Sequence, residues 1–374
     1  MQLFDVYPLF DLEITRGEGA HIWDNRGKQY LDFYGGHAVI SIGHNHPHFQ
    51  ESLRDQLEKL SFYSNSVKNR LQEKVAKKLA QVSELEDYQL FMVNSGAEAV
   101  ENALKLASFQ TNHTKVIAFK GAFHGRTSAA VNVTDNRMIQ SPINTTFETV
   151  FLPLGDIAAI QQELTKGGVA AVIIEGIQGI GGIHCHKPQF LADLAELCQQ
   201  HEVTLILDEI QSGFGRSGRF FAFQYADIQP DIICMAKGMG NGFPVGGILI
   251  HKHIKPFLGM LGSTFGGAPL ACRAVLSVLN IIQKEQLIAN AQQIGEYLKN
   301  ELVNTPGLID IRGQGLMLGL EFNFRIKDLR NKLIFEENIF TGSSSNPNVL
   351  RLLPPLGITQ KQALTLVQKL KLSR

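Results

Sequence analysis

Five short runs rich in branched apolar residues recur through the middle of this chain. They are Lys115-Val116-Ile117-Ala118-Phe119, Ala170-Ala171-Val172-Ile173-Ile174, Val203-Thr204-Leu205-Ile206-Leu207, Asp231-Ile232-Ile233-Cys234-Met235 and Gly246-Gly247-Ile248-Leu249-Ile250. From about Val93 such runs alternate with longer amphipathic stretches. A strand with no polar face has no side to turn to water, so this pattern predicts a mainly parallel sheet with helices on both faces, a doubly wound α/β domain. With 374 residues there is enough chain for a large core and for two lobes sharing one site. Gly19 to Phe33 is expected to be hairpin-like, turning at Asn25-Arg26-Gly27. After Pro269 one long helical stretch is expected to about Leu302, then shorter strands, then an amphipathic helix from Gln360. The two chain ends are expected to form a smaller α/β lobe: 1–42 as its N-terminal segment, 43–265 as the large domain, 266–374 as the C-terminal small domain.

Thirty-five basic side chains balance thirty-five acidic ones, so no field favours nucleic acid or an anionic membrane. Small molecules or another protein chain are the expected partners. Met1 to Pro8 has neither a basic nor an apolar leader region, and the apolar run from Val169 stops at Glu175, so a cytoplasmic protein is expected. Cys185, Cys198, Cys234 and Cys272 show no CxxC spacing and read as reduced thiols.

The chemistry lies at the ends of these runs. Asp208 closes Leu205-Ile206-Leu207, and twenty-nine residues later Lys237 stands among small residues in Ala236-Lys237-Gly238-Met239-Gly240. A carboxylate at a strand end can pair with a protonated ring nitrogen, and an uncrowded lysine can form a Schiff base with an aldehyde. Pyridoxal phosphate needs both.

Asn94-Ser95-Gly96-Ala97-Glu98 opens a helix with capping-box spacing between Ser95 and Glu98. It reads either as an ordinary cap or as a phosphate seat. In Phe123-His124-Gly125-Arg126-Thr127 the aromatic can lie on a planar cofactor or be core, and Arg126 can hold a carboxylate through paired hydrogen bonds. Ser263-Thr264-Phe265-Gly266-Gly267 suits phosphate binding or caps the following helix. Arg351, in the apolar Val349-Leu350-Arg351-Leu352, is expected to face a cleft, because an unpaired arginine is rarely fully buried. Gly213-Phe214-Gly215-Arg216-Ser217-Gly218 fits a dinucleotide fingerprint, but no helix pattern follows, and it reads as a flexible loop. His44, His46 and His48 lack a carboxylate or cysteine partner for a metal, and Asn45 and Pro47 suit a turn and a helix entry.

In this order the motifs resemble the class III pyridoxal-phosphate aminotransferases of fold type I, over nearly the whole chain. Within that class the chain is most similar to the acetylornithine and succinylornithine aminotransferases. The resemblance implies transfer of the δ-amino group of N2-acetylornithine or N2-succinylornithine to 2-oxoglutarate, giving the semialdehyde and glutamate, in arginine biosynthesis. Ornithine, 4-aminobutyrate and lysine ω-aminotransferases share much of the motif set. It further implies that Lys237 holds the cofactor and moves the proton, and that Asp208 keeps the ring nitrogen protonated. Gln211 would bond the ring hydroxyl, and Phe123 and Ile210 would flank the ring. Ser95, Gly96 and Ala97 would take the phosphate, with Thr264 of a second copy completing it in a homodimer. Arg126 and Ser263 would hold the donor, Arg351 a carboxylate of glutamate or 2-oxoglutarate, and Glu175 would line the site.

One position departs from the pattern. Relatives usually carry a second glutamate five residues after the one matching Glu175, where this chain has Ile180. That glutamate is understood to neutralise the arginine matching Arg351 when a diamino donor binds. Its loss suggests tolerance of a donor with an extra carboxylate, such as succinylornithine.

Overall fold

The computed structural model describes residues 1–372. The sheet formed by the middle of the chain has seven strands, in the spatial order Tyr88–Val93, Gly246–His251, Ile232–Met235, Thr204–Asp208, Val169–Glu175, Lys115–Phe119 and Thr149–Leu152. Gly246–His251 runs antiparallel to both neighbours and the remaining pairs are parallel. The three central strands are buried at every position, which is why their sequences lack polar alternation. Register sets Asp208 opposite both Glu175 and Cys234. Two carboxylates therefore emerge side by side at the carboxyl edge of the sheet, where open α/β sheets form their crevices.

A second seven-stranded sheet joins the chain ends. Ile14–Glu18, His21–Asp24 and Gln29–Phe33 form its first part, and Gln29–Phe33 runs parallel to Ile339–Ser343. Val349–Leu352, Met317–Phe322 and Leu308–Gln314 complete it. The hairpin turn is held by Asp24, whose carboxylate accepts from the Arg26 and Lys28 amides, while Gly27 takes φ +79°. Few residues other than glycine adopt that angle easily. Asn241 fixes the next segment, accepting from Ser41 and Ile42 N–H and donating to the Gly43 carbonyl.

Two expectations need correction. The long stretch after Pro269 is two helices, Pro269–Lys284 and Leu287–Leu302, broken where Gln286 turns left-handed at φ +52°. The first packs on helices Pro47–Leu57 and Arg70–Ser83; the second turns to helix Gln360–Leu372 and strand Leu308–Gln314. A single straight helix could not serve both lobes. The segment 213–218 is no flexible loop, because every residue in it is buried. Arg216 donates to the carbonyls of Leu316, Pro354 and Ile40, tying three distant stretches of chain together.

His44 pairs with Asp32 and His46 with Glu285. Asn45 sits at φ +50° before a helix with Pro47 in its first turn.

Glu209, fully buried, accepts from Ser212 Oγ at 2.6 Å, Ala222 N at 3.0 Å and Phe223 N at 2.8 Å. Burial raises its carboxyl to about 7 even against those three donors. Glu209→Ala strands two backbone amides in a dry interior and is expected to cost about 2–4 kcal/mol, read as a fall in unfolding midpoint. Because the folded carboxyl holds its proton to higher pH than the unfolded one, its contribution to stability declines as pH rises from the ordinary carboxyl range to about 7. The midpoint of Glu209→Gln should therefore fall less steeply over that range than that of the parent.

Candidate active site

At the carboxyl edge of the large sheet lies a cavity of about 320 Å³. Lys237 lines it, in a short 3₁₀ turn, Lys237–Met239, directly after strand Ile232–Met235. The lysine has φ +45°, a left-handed conformation that non-glycine residues seldom hold unless their surroundings impose it. Those surroundings include Gly240, where a Cβ would collide with the Phe243 carbonyl, and Ser41, which donates to the Gly238 carbonyl. Burial lowers the Lys237 ammonium below its ordinary range, opposed by Asp208 and Glu175 and reinforced by Arg351. A lysine so placed loses its proton readily and becomes a nucleophile and base.

Asp208 is buried, with Oδ1 accepting from Ile210 N at 3.0 Å and Oδ2 at 2.7 Å from His124 Nδ1. His124 is 2% exposed and its Nε2 is buried without a partner. The proton that fits this pair sits on Nδ1, which fixes the imidazole behind the carboxylate. Sequence reading gave His124 no role, although it stands inside the Phe123–Thr127 motif.

Glu175 lines the same cavity. Its Oε1 accepts from Phe123 N at 3.1 Å and its Oε2 from Gly179 N at 2.8 Å. Burial, with Asp208 nearby, raises its carboxyl to about 7 against the pull of His124 and the two amides. One side chain thus joins the turn carrying Phe123 to the turn carrying Ile180.

Helix Gly96–Thr111 points its N-terminus into the cavity, where Ser95, Gly96 and Ala97 line the wall. Ser95 Oγ accepts from Glu98 N at 3.2 Å, while Glu98 reaches back to the Asn94 amide, one residue before the N-cap. That leaves the first-turn N–H groups of Gly96 and Ala97 available to an anion. A Cβ on Gly96 would stand 3.0 Å from two Ile210 carbons, so the glycine is what brings Ile210 close to the helix start.

Phe123, Ile210 and Gln211 also line the cavity. Gln211 donates to the His37 carbonyl at 3.2 Å and accepts from Arg351 Nη1 at 3.3 Å. The expectation that Arg351 faces a cleft is corrected: it is 1% exposed and stands behind Gln211. Neutral acceptors, the Ser343 carbonyl and the Gln211 amide oxygen, take its hydrogen bonds, and burial lowers its guanidinium to about 10. Arg126 and Thr264 are exposed at the surface. Ser263 Oγ accepts from Gly266 N and Asn94 Nδ2, linking its loop to the helix start. Sequence reading also missed Val39, Ile177, Phe243 and Val245, aliphatic and aromatic lining contributed by distant segments.

These groups fit pyridoxal phosphate. An amine for the aldehyde, a carboxylate for the ring nitrogen, a helix start whose Gly96 and Ala97 N–H groups are open to the phosphate, and apolar side chains for the ring line one cavity.

The class-III aminotransferase family model matches residues 5–373. The acetylornithine aminotransferase of Bacillus subtilis is 39% identical over 379 residues, covering 99% of this chain and 96% of that protein. The Methanosarcina acetivorans protein of the same name is 37% identical over 378 residues, 99% of this chain and 93% of its own length. Among solved structures, ornithine aminotransferase from Toxoplasma gondii superposes with TM-score 0.89 at 30% identity, covering 97% of this chain and 90% of that one. Acetylornithine aminotransferase from Elizabethkingia anophelis gives 0.84 at 31%, covering 98% and 94%. With Lys237, Asp208 and the open helix start meeting in one cavity, and the family match running almost end to end, the chain belongs to the class-III aminotransferases, which are pyridoxal-phosphate-dependent transaminases.

Proposed function

We propose that this enzyme transfers the δ-amino group of N2-acetylornithine to 2-oxoglutarate, yielding the N-acyl glutamate semialdehyde and glutamate, a step of arginine biosynthesis. The observation that carries this reading is a Lys237–Asp208 cavity in a chain that matches acetylornithine aminotransferases over nearly its full length. Bound pyridoxal phosphate supplies an electron sink for the carbon that loses its proton.

The chain's own groups do the rest. Asp208, held from behind by His124, keeps a proton on the ring nitrogen and so maintains the sink. Lys237 Nζ would hold the cofactor through its aldehyde, and as a free amine it would be the base that moves the donor's proton. Gly96 and Ala97 hold the phosphate through backbone N–H groups, and Phe123 and Ile210 keep water from the ring faces. Arg126 and Ser263 hold the donor. Gln211 would bond the ring hydroxyl, and Arg351, which donates to Gln211, would take a carboxylate of glutamate or 2-oxoglutarate. Thr264 lies exposed beside Phe265, which is itself 60% exposed and packs on Phe62 at 5.2 Å. A second copy of the chain covers this surface in our reading, and Thr264 completes the phosphate site of that copy. Four free cysteines accord with a cytoplasmic enzyme.

The test is kcat/KM for a panel of donors with 2-oxoglutarate as acceptor. N2-acetylornithine should exceed ornithine, 4-aminobutyrate and lysine by more than about tenfold, as expected where a site discriminates by burying one neutral group. Preference for free ornithine would transfer the assignment to the ornithine aminotransferases that superpose on this fold.

A further inference from the structure

We infer that Arg330 and Tyr34 join Arg351 in holding one carboxylate of glutamate or 2-oxoglutarate. The inference deepens the proposed function and rests on the place given there to Arg351.

Two guanidinium groups of the small lobe are bonded to neutral acceptors only. Arg351, 1% exposed, donates from Nε to the Ser343 carbonyl and from Nη1 to Gln211 Oε1 at 3.3 Å. Arg330, half-buried in helix Lys327–Phe335, donates from Nε to the Thr341 carbonyl at 2.9 Å. Its Nη1 reaches the Ser343 hydroxyl only at 3.5 Å, and the guanidinium lies 4.9 Å from the centre of the Phe10 ring. Neither Nη2 has a hydrogen-bond partner among the described residues. Arg312, by contrast, meets both Asp310 and Glu321. Burial lowers the Arg330 guanidinium below its ordinary range and that of Arg351 to about 10, with the charge of Arg330 adding to the second effect. Two cations that repel each other and lack an acid are costly to keep from water, and an anion shared by both offsets that cost.

Three consecutive residues of strand Ile339–Ser343 build the cluster. Thr341 and Ser343 accept from Arg330, and Ser343 also accepts from Arg351. Gly342 stands opposite Arg351 in the ladder, and a Cβ on it would lie 3.1 Å from Tyr34 Cδ2 and 3.3 Å from Arg351 Cβ. The missing side chain is what lets the Tyr34 ring lie against Arg351. Burial raises the Tyr34 phenol, and the charges of Arg351 and Arg330 both oppose that rise. Asp32 does not serve as their acid, because its oxygens accept from Tyr34 N, Gly35 N and the His44 ring.

The cluster adjoins the cavity through Gln211, which lines it. Gln211 links Arg351 to the His37 carbonyl, and the His37 ring meets the Tyr34 hydroxyl at 2.6 Å. Partial burial, then the charges of Arg351, Lys237 and Arg330, lower the His37 imidazole to about 4. Lys237 and both arginines thus act on one ring, which is itself neutral near pH 7. In the proposed reaction the cofactor phosphate is met at the helix start and the donor by Arg126 and Ser263, which leaves the carboxylate of glutamate or 2-oxoglutarate for these two guanidiniums and the phenol.

The experiment follows each half-reaction of the holoenzyme separately, by the absorbance of the cofactor, with glutamate and with N2-acetylornithine. Arg330→Met should raise the apparent Kd for glutamate by at least about tenfold, the scale of a lost charge-assisted hydrogen bond, and leave that for N2-acetylornithine within about twofold. Calorimetric binding of glutarate, a dicarboxylate with no reacting group, should weaken by the same factor as glutamate. Tyr34→Phe, which keeps the ring beside Gly342, should weaken glutamate and glutarate by about three- to tenfold. An unchanged glutamate Kd in Arg330→Met overturns the inference. Equal losses with glutamate and N2-acetylornithine overturn it as well, since a general packing defect weakens both. An unchanged Kd in Tyr34→Phe overturns the part given to Tyr34. If N2-acetylornithine is no donor, the proposed function falls, and the donor that is used takes its place as the comparison while glutamate and glutarate still decide this inference.

Discussion

Lys237→Ala is expected to abolish turnover, reducing the rate by at least about 10⁴-fold. Loss of a positioned general base alone removes about 10²–10⁴-fold, and the covalent anchor for the cofactor disappears with it. The protein should still fold. Burial works against the Lys237 ammonium, so deleting it removes an unfavourable group from the interior rather than a stabilising one. Cofactor should still bind, because Asp208 and the start of helix Gly96–Thr111 are untouched. What should vanish is the near-visible absorbance of a lysine-linked cofactor, together with its change on adding glutamate. The measurement pairs that spectrum with steady-state kinetics. Retention of more than about one per cent of parental kcat would move the proton-transfer role to another group.

Asp208→Asn is expected to lower kcat by about 10²–10⁴-fold, the scale seen when a preorganised electrostatic partner is removed from a closed site. The substitution keeps the shape and an oxygen that can still accept from His124 Nδ1, so the loss isolates the charge. Without a carboxylate the ring nitrogen no longer holds its proton at neutral pH, and the cofactor becomes a poorer electron acceptor. An N-methylated cofactor, positively charged without needing a partner, should recover part of the lost rate in Asp208→Asn while giving the parent no advantage. If Asp208→Asn keeps more than about a tenth of the parental rate, the carboxylate is a structural group and the electron-sink argument fails.

The two variants bear on different elements of the same edge. Lys237 depends on its left-handed turn after strand Ile232–Met235, whereas Asp208 depends on the register that sets Thr204–Asp208 beside Val169–Glu175. A folding defect common to both would appear as loss of cofactor binding, which neither substitution is expected to cause.

The sequence by itself determined the sheet and the chemistry of its edge. All-apolar strands can be solvated on neither face, so their helices had to cover both, and that follows from local pattern alone. Lys237, Asp208, the Ser95–Ala97 helix start, Phe123, Ile210 and Gln211 were legible because each stands just after a strand, where the chain must emerge at one edge. The tertiary structure decided what those residues touch. His124 meets Asp208 across 84 positions, and Arg351 reaches Gln211 across 140. No periodicity carries such pairings; they exist only once strand register and lobe packing are set. The same is true of the buried turn around Arg216 and of the break at Gln286, where packing against two lobes overrode a locally continuous helical pattern. It holds as well for Ile180, which sequence marked only as a missing acid. The fold makes it one of the residues lining the cavity and bonds its carbonyl to Ser345, 165 positions away.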